Sequence, residues 1–176
     1  MKIGVVSDTH RNKKLLQQVV DWFVKTHSIG MLYHLGDDYD DTMHIADSGV
    51  EIKQVPGIYH PGYRDGRIAP TVRDTLMGLS ILLVHSLEQD VTSEDILGSD
   101  IVLYGHSHEA KITVEDGVLY MNPGHLKGKR DKNRDSSFGM LDIQEENIYA
   151  YLFDAHFNEL TRVPISRSGA GLYKHI

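Results

Sequence analysis

The 176-residue chain contains no cysteine. Disulfide staples and thiolate metal sites are therefore excluded, and any metal must be held by nitrogen and oxygen ligands, which suits Mn, Fe, Co, Ni or Zn. No apolar run approaches the length of a bilayer span. The N-terminal run Ile3-Gly4-Val5-Val6 is too short for a signal peptide, so the expectation is a cytoplasmic protein with no membrane partner. Basic charge is in deficit, with 18 Lys and Arg against 25 Asp and Glu, a formal net charge of -7. A surface of that sign argues against nucleic acid as a partner, although bound divalent cations would reverse the charge locally. Internal repeats, low-complexity tracts and linkers are also missing, which leaves one domain over residues 1–176; a homo-oligomer is compatible with it. Histidine alone is in excess, at 11 residues, so the positions of the histidines carry the argument.

Short apolar runs alternate with helical stretches. Residues 2–6 read as a buried strand. Between Asn12 and Thr26, the residues Leu15, Leu16, Val19, Val20, Phe23 and Val24 fall on one helical face, with Asn12 as N-cap. A strand at 31–35, a short helix near 41–48 and a strand at 51–55 complete a βαβαβ opening, which implies a parallel sheet covered by helices. After a Pro- and Gly-rich loop at 56–70, strands at 71–76 and 79–84 turn about Gly78. Thr92 and Asp95 resemble a capping box for a helix at 93–98. A strand at 101–104 precedes a hairpin, 111–115 and 118–122, about the turn pair Asp116-Gly117. Strands at 137–142, 147–153 and 159–165 complete an α/β layer fold of two packed sheets with helices outside.

Four of the apolar strands end in Asp or His. Val5-Val6 leads to Ser7-Asp8-Thr9-His10. Tyr33-His34-Leu35 leads to Gly36-Asp37-Asp38. Leu82-Leu83-Val84 leads to His85-Ser86, and Val102-Leu103-Tyr104 to Gly105-His106-Ser107-His108. Sites in parallel α/β sheets form beyond the carboxyl ends of strands. Four tips can thus deliver six ligand-type side chains to one crevice, with Asp8 and His10, and likewise His106 and His108, reaching the same side as alternate residues of extended chain. Taken singly, an Asp after a strand is a turn or cap residue and a His is a satisfied core or surface group; only the conjunction points to a site.

In this order the motifs resemble those of the calcineurin-like metallophosphoesterase superfamily, in its small bacterial and archaeal phosphodiesterase branch. The family pattern is Asp-x-His, Gly-Asp, Gly-Asn-His/Cys-Asp/Glu, a His after a strand, and Gly-His-x-His. The resemblance runs from residue 1 to about 140 and includes Asn122-Pro123-Gly124. It implies a four-layer α/β/β/α sandwich with two mixed sheets flanked by helices. It also implies two divalent metal ions (Mn, Fe, Ni or Zn). Asp8, His10 and His108 would hold the first, His85 and His106 the second, and Asp37 would bridge them. The implied activity is hydrolysis of a small phosphate ester, a phosphodiester or phosphomonoester, by in-line attack of a metal-bridging hydroxide on phosphorus.

The pattern breaks after the strand at 51–55, where the chain reads Gly57-Ile58-Tyr59-His60. Ile58 stands where a metal-binding Asn is expected and cannot coordinate. Tyr59 stands at the proton-donor position and His60 at the acidic one; these two are the candidate catalytic acids. Arg11 is the candidate phosphate-binding residue. Lys127, Lys129, Arg130, Lys132 and Arg134 form a candidate basic rim or a solvated loop. Asp38, Asp40 and Asp41 either cap the next helix or hold a ligand histidine. His125 stands where the family has Ser, and His27, His34, His44, His156 and His175 receive no role. One rival reading is a weakened member acting as a protein-binding scaffold, as the retromer subunit of this superfamily does. The other is a nuclease, which the acidic balance disfavours.

Overall fold

The computed structural model describes residues 1–168 and 171–174; His175 lies outside the described residues. The chain opens with strand β1 (Lys2–Val6), helix α1 (Lys13–Trp22), which continues into a π-helical turn at Phe23–His27, and β2 (Met31–His34). Asn12 caps α1 as expected, its side chain accepting from the Leu15 amide while its Nδ2 donates to the Leu126 carbonyl at 2.8 Å. A 3-10 helix (Tyr39–Ser48) precedes β3 (Glu51–Gln54). Only Asp41, Thr42 and Ile45 of this segment are buried, too thin an apolar stripe for the α-helix expected near 41–48. The loop at 56–70 contains one helical turn, α2 (Pro61–Arg64), which gives way to β4 (Thr71–Leu76) and β5 (Leu79–Val84).

Two short helices, α3 (Leu87–Asp90) and α4 (Ser93–Leu97), lead to β6 (Ile101–Leu103). The Thr92–Asp95 capping box is present in full. The hairpin of β7 (Lys111–Glu115) and β8 (Val118–Asn122) follows, then a small hairpin of β9 (Arg130–Asp131) and β10 (Arg134–Asp135). The chain returns through β11 (Ser137–Ile143), β12 (Asn147–Asp154), β13 (Glu159–Ser168) and β14 (Gly171–Lys174).

Two mixed sheets result. The first has the order β14-β13-β12-β11-β1-β2-β3 and the second β4-β5-β6-β8-β7. Strands β1, β2 and β3 run parallel, as do β5, β6 and β8. Strand alternation divides the side chains between layers. Ile3, Val5, Tyr33 and Leu35 of the first sheet share one buried core with Ile81, Leu83, Leu103 and Met121 of the second. On the other face of the first sheet, Leu32, Phe138 and Phe153 pack on Leu16, Val19, Val20 and Phe23 of the α1 segment. On the outer face of the second, Leu82, Val84 and Val102 are covered by Leu87 and Val91. This is the expected α/β/β/α layering, with a thin outer layer on the second sheet. A polar tie also crosses between the sheets: Asp74 of β4 accepts from the Tyr33 hydroxyl and pairs with Lys53 of β3, both at 2.7 Å. Burial favours the neutral form of Asp74, but Lys53 and Tyr33 outweigh it and hold its carboxyl below the usual range.

Candidate metal centre

The tips of β1, β2, β5 and β6 meet at one end of the sandwich. Backbone bonds stitch the loops together: the Asp8 amide donates to the Gly36 carbonyl at 2.8 Å, and the Gly105 amide to the His85 carbonyl at 3.0 Å. The side chains do not reach the same side by extended chain. Asp8, His10, His106 and His108 all have positive φ (51°, 44°, 66° and 60°), and Asp37 joins them at 47°. Each such residue costs about 1–2 kcal/mol relative to an ordinary backbone conformation. Strain of this kind, concentrated at one end of the fold, is characteristic of functional sites.

Close approach of backbone completes the frame. A Cβ on Gly105 would lie 2.1 Å from Ser7 Oγ, and one on Gly57 would lie 1.8 Å from Asp37 Oδ1. The Gly57 that opens the divergent segment is therefore required by its packing against Asp37.

Two groups of donors converge, each drawn from both sheets. Donor atoms of Asp8, His10 and His108 lie within 4.8 Å of one another, and so do those of Asp8, Asp37 and His85. His108 Nε2 is 3.1 Å from Asp8 Oδ1 and 3.4 Å from His10 Nε2. Asp37 directs Oδ1 to His85 Nε2 and Oδ2 to His10 Nε2, each at 3.6 Å. His106 belongs to neither trio among the described residues; its ring lies 5.2 Å from that of His85, and its amide donates to Asp8 Oδ2 at 3.0 Å.

Second nitrogens fix the tautomers. His85 Nδ1 lies 2.7 Å from the Leu35 carbonyl, which can only accept, so the proton sits on Nδ1 and Nε2 carries a lone pair. His108 Nδ1 lies 2.6 Å from Asp131 Oδ2, a carboxylate that takes the Nδ1 proton as a hydrogen bond. Among the described residues, Asp8 Oδ1 and His85 Nε2 are buried without a hydrogen-bond partner. Acceptors that face one another in a buried space call for positive charge between them. The donor set fits divalent metal ions: carboxylate oxygen and imidazole nitrogen, with Asp8 Oδ1, His10 Nε2 and His108 Nε2 separated by 3.1, 3.4 and 4.0 Å.

Electrostatics agree. Burial favours a protonated Asp8, but His108, His85 and the 2.5 Å bond from Ser7 Oγ outweigh it and keep the carboxyl below its ordinary value. Burial holds the His10 imidazole below its ordinary value, hence neutral and able to ligate. Beneath the loop, fully buried His34 is pushed down to about 4 by burial.

An open cleft of about 400 Å³ lies over Asp37 and His10, walled by Arg11, Tyr59, His60 and Pro61. Arg11 is 84 % exposed there, its Nε 3.6 Å from Asp38 Oδ1. Tyr59 is 67 % exposed, and the Arg64 guanidinium stands 5.5 Å from its ring. His60 does not turn into the site as a ligand. Its Nδ1 accepts from the Gly62 amide at 3.1 Å and caps α2. A larger cavity, about 920 Å³, lies elsewhere; His108 is the one candidate ligand that lines it.

Two regions depart from the sequence reading. Asp41 holds no histidine: its Oδ2 accepts from Thr9 Oγ1 and the Arg11 amide at 2.7 and 2.8 Å, fixing the Asp8–Arg11 loop. Three of the five basic residues of the stretch at 127–134 are engaged in ion pairs. Lys127 pairs with Asp131 at 2.9 Å, Arg134 with Glu109 at 2.9 Å, and Arg130 with Asp135 at 3.6 Å. Asp131, the carboxylate behind His108, is the residue the sequence reading missed; surrounded by cations, it carries no local signal.

A family model for the calcineurin-like phosphoesterase superfamily domain matches residues 1–146, and the chain belongs to that family. A probable metallophosphoesterase of Bacillus subtilis is 24% identical over 166 residues, covering 91% of this chain and 95% of that protein. A phosphodiesterase of Methanocaldococcus jannaschii is 26% identical over 147 residues, covering 73% and 86%. Among solved structures, a phosphoesterase of E. coli superimposes with a TM-score of 0.72 at 16% identity, covering 93% of this chain and 98% of that one.

Proposed function

We propose that this protein is a metal-dependent phosphoric ester hydrolase with a dinuclear centre (Mn, Fe, Ni or Zn) acting on small phosphomono- or phosphodiesters. The reading rests on one observation: Asp8 Oδ1 and His85 Nε2, buried without a hydrogen-bond partner among the described residues, lie in two adjoining trios of ligand-type side chains. Asp8, His10 and His108 would hold one ion, His85 and His106 the other. Asp37, which turns one oxygen to each side, would be shared. Bound divalent ions supply a water of lowered pKa as nucleophile and positive charge opposite the phosphate oxygens.

The remaining chemistry falls to the protein. Asp41 and Thr9 hold the loop that carries His10 and Arg11. Arg11 extends into the cleft and offers a fork of donors to a phosphate. Protonation of the leaving oxygen is the weakly served step. Tyr59 and His60 are the protic groups on the cleft wall, and the Nδ1 of His60 is occupied by the Gly62 amide. The names of the two relatives, one a metallophosphoesterase and one a phosphodiesterase, support the substrate class.

Metal-stripped protein, given back single metals, is assayed on nitrophenyl phosphate mono- and diesters. Activity is expected to return with metal, and Asp37→Asn to lose at least about 100-fold together with tight metal uptake, since even ligand-supporting residues are worth roughly 10–100-fold. Parent-like metal uptake and turnover in that variant would sink the assignment. A parent that takes up no metal and hydrolyses neither ester would favour the scaffold reading.

A further inference from the structure

The β9–β10 hairpin lies far in sequence from most of the candidate ligands and supplies none of them. It nevertheless reaches the site. Asp131, at the end of β9, places Oδ2 2.6 Å from His108 Nδ1, while its Oδ1 receives Lys127 Nζ at 2.9 Å. Its side chain is 19 % exposed and that of His108 only 3 %. The contact is thus a shielded, charge-assisted hydrogen bond, the strong kind. The second carboxylate oxygen is engaged by Lys127, so the group is held from both sides. The same hairpin ties back to the Gly-His-x-His loop through Arg134 and Glu109 at 2.9 Å, and His125 Nε2 lies 3.1 Å from the Arg134 carbonyl.

We infer that Asp131 is a positioning residue for the first metal ion: it fixes the ring orientation and tautomer of His108 so that Nε2 faces Asp8 and His10, with Lys127 holding the carboxylate in place. The inference rests on the reading of His108 as a ligand. A carboxylate behind a ligating imidazole takes the Nδ1 proton, fixes the tautomer and ring orientation and strengthens the ligand, and losing such a partner typically weakens metal binding roughly 10–100-fold. The segment that looks in sequence like a cationic lure for phosphate has a different task here, because its one buried-side carboxylate serves a ligand and its first lysine serves that carboxylate.

Calorimetric titration of the stripped protein with Mn, and proton NMR of the zinc-loaded protein, test this. Asp131→Ala is expected to weaken one of two binding events roughly 10–100-fold and leave the other unchanged. It should also remove a slowly exchanging imidazole Nδ1–H resonance that the parent shows with zinc. Asp131→Asn keeps an acceptor oxygen and is expected to recover the resonance and most of the affinity. Arg130→Ala, on the same hairpin but away from His108, should match the parent in both readouts. Parent-like affinity in Asp131→Ala overturns the inference, and so does equal damage from Arg130→Ala or no recovery in Asp131→Asn. His108→Ala separates the two levels. If it too binds Mn like the parent, the functional reading itself fails; if it loses the event that Asp131→Ala retains, only the inference fails.

Discussion

The two halves of the crevice are made to different standards. Around Asp8 and His108, side chains do most of the supporting: Ser7 on Asp8, Asp131 on His108 and Asp41 beneath the loop, with the His106 amide also on Asp8. Around Asp37, His85 and His106, support is mostly backbone: the Leu35 carbonyl orients His85, and Gly57 presses on Asp37. In sequence, Ile58 also stands where the family pattern places an oxygen ligand for the second half. The difference teaches that ligand side chains alone do not set affinity; the layer behind them decides how well each lone pair is aimed.

Three experiments bear on that asymmetry, in decreasing order of expected effect. If the weaker half also lacks a ready proton donor, turnover should fall steeply as the leaving group becomes more basic. Replacing nitrophenyl by alkyl esters should then cost at least the roughly 10²–10⁴-fold that general-acid help is worth; a flat dependence would reveal a competent acid at Tyr59 or His60.

The better-braced half should have an acid-labile footing. His34, beside Thr9, is pushed down to about 4 in the fold, against an ordinary value of 6.5. The unfolded chain therefore binds the extra proton first. His34 costs nothing above pH 6.5, and stability is lost as pH falls from there toward about 4, by a total on the order of 3 kcal/mol. Denaturant unfolding of the stripped protein should show this loss, and His34→Gln should flatten it; an unchanged slope would refute the assignment.

Finally, Ile58→Asn should strengthen the weaker of two Mn-binding events about tenfold, the low end of what such partners contribute. Strengthening of the tighter event instead, or no change, would erase the distinction between the halves.

Much of this was legible in the chain because apolar runs report strands directly, and four of the runs here stop at a ligand-type residue. Leu82–Val84 before His85 and Val102–Tyr104 before Gly105-His106 place both residues at strand ends without any knowledge of the sheet. The layering followed from the same alternation. What could not be read was local geometry. Left-handed backbone at Asp8, His10, His106 and His108 leaves no mark in residue type, because Asp and His tolerate that region. One-turn helices such as Pro61–Arg64 and Leu87–Asp90 are too short to display a period. Asp131 pairs across 23 residues with a histidine, amid lysines and arginines whose partners only the folded chain reveals.

Neither trio is contained in one sheet: Asp8, His10 and Asp37 come from the first, His85 and His108 from the second. Any cation seated there acts as a rivet through the seam of the sandwich, joined at mid-seam by the Tyr33–Asp74–Lys53 tie. Occupancy and mechanical integrity are therefore one equilibrium. Free metal at about 100 times its dissociation constant adds roughly 2.7 kcal/mol to the folded state, so chelation should soften the whole layered body along with emptying the pocket.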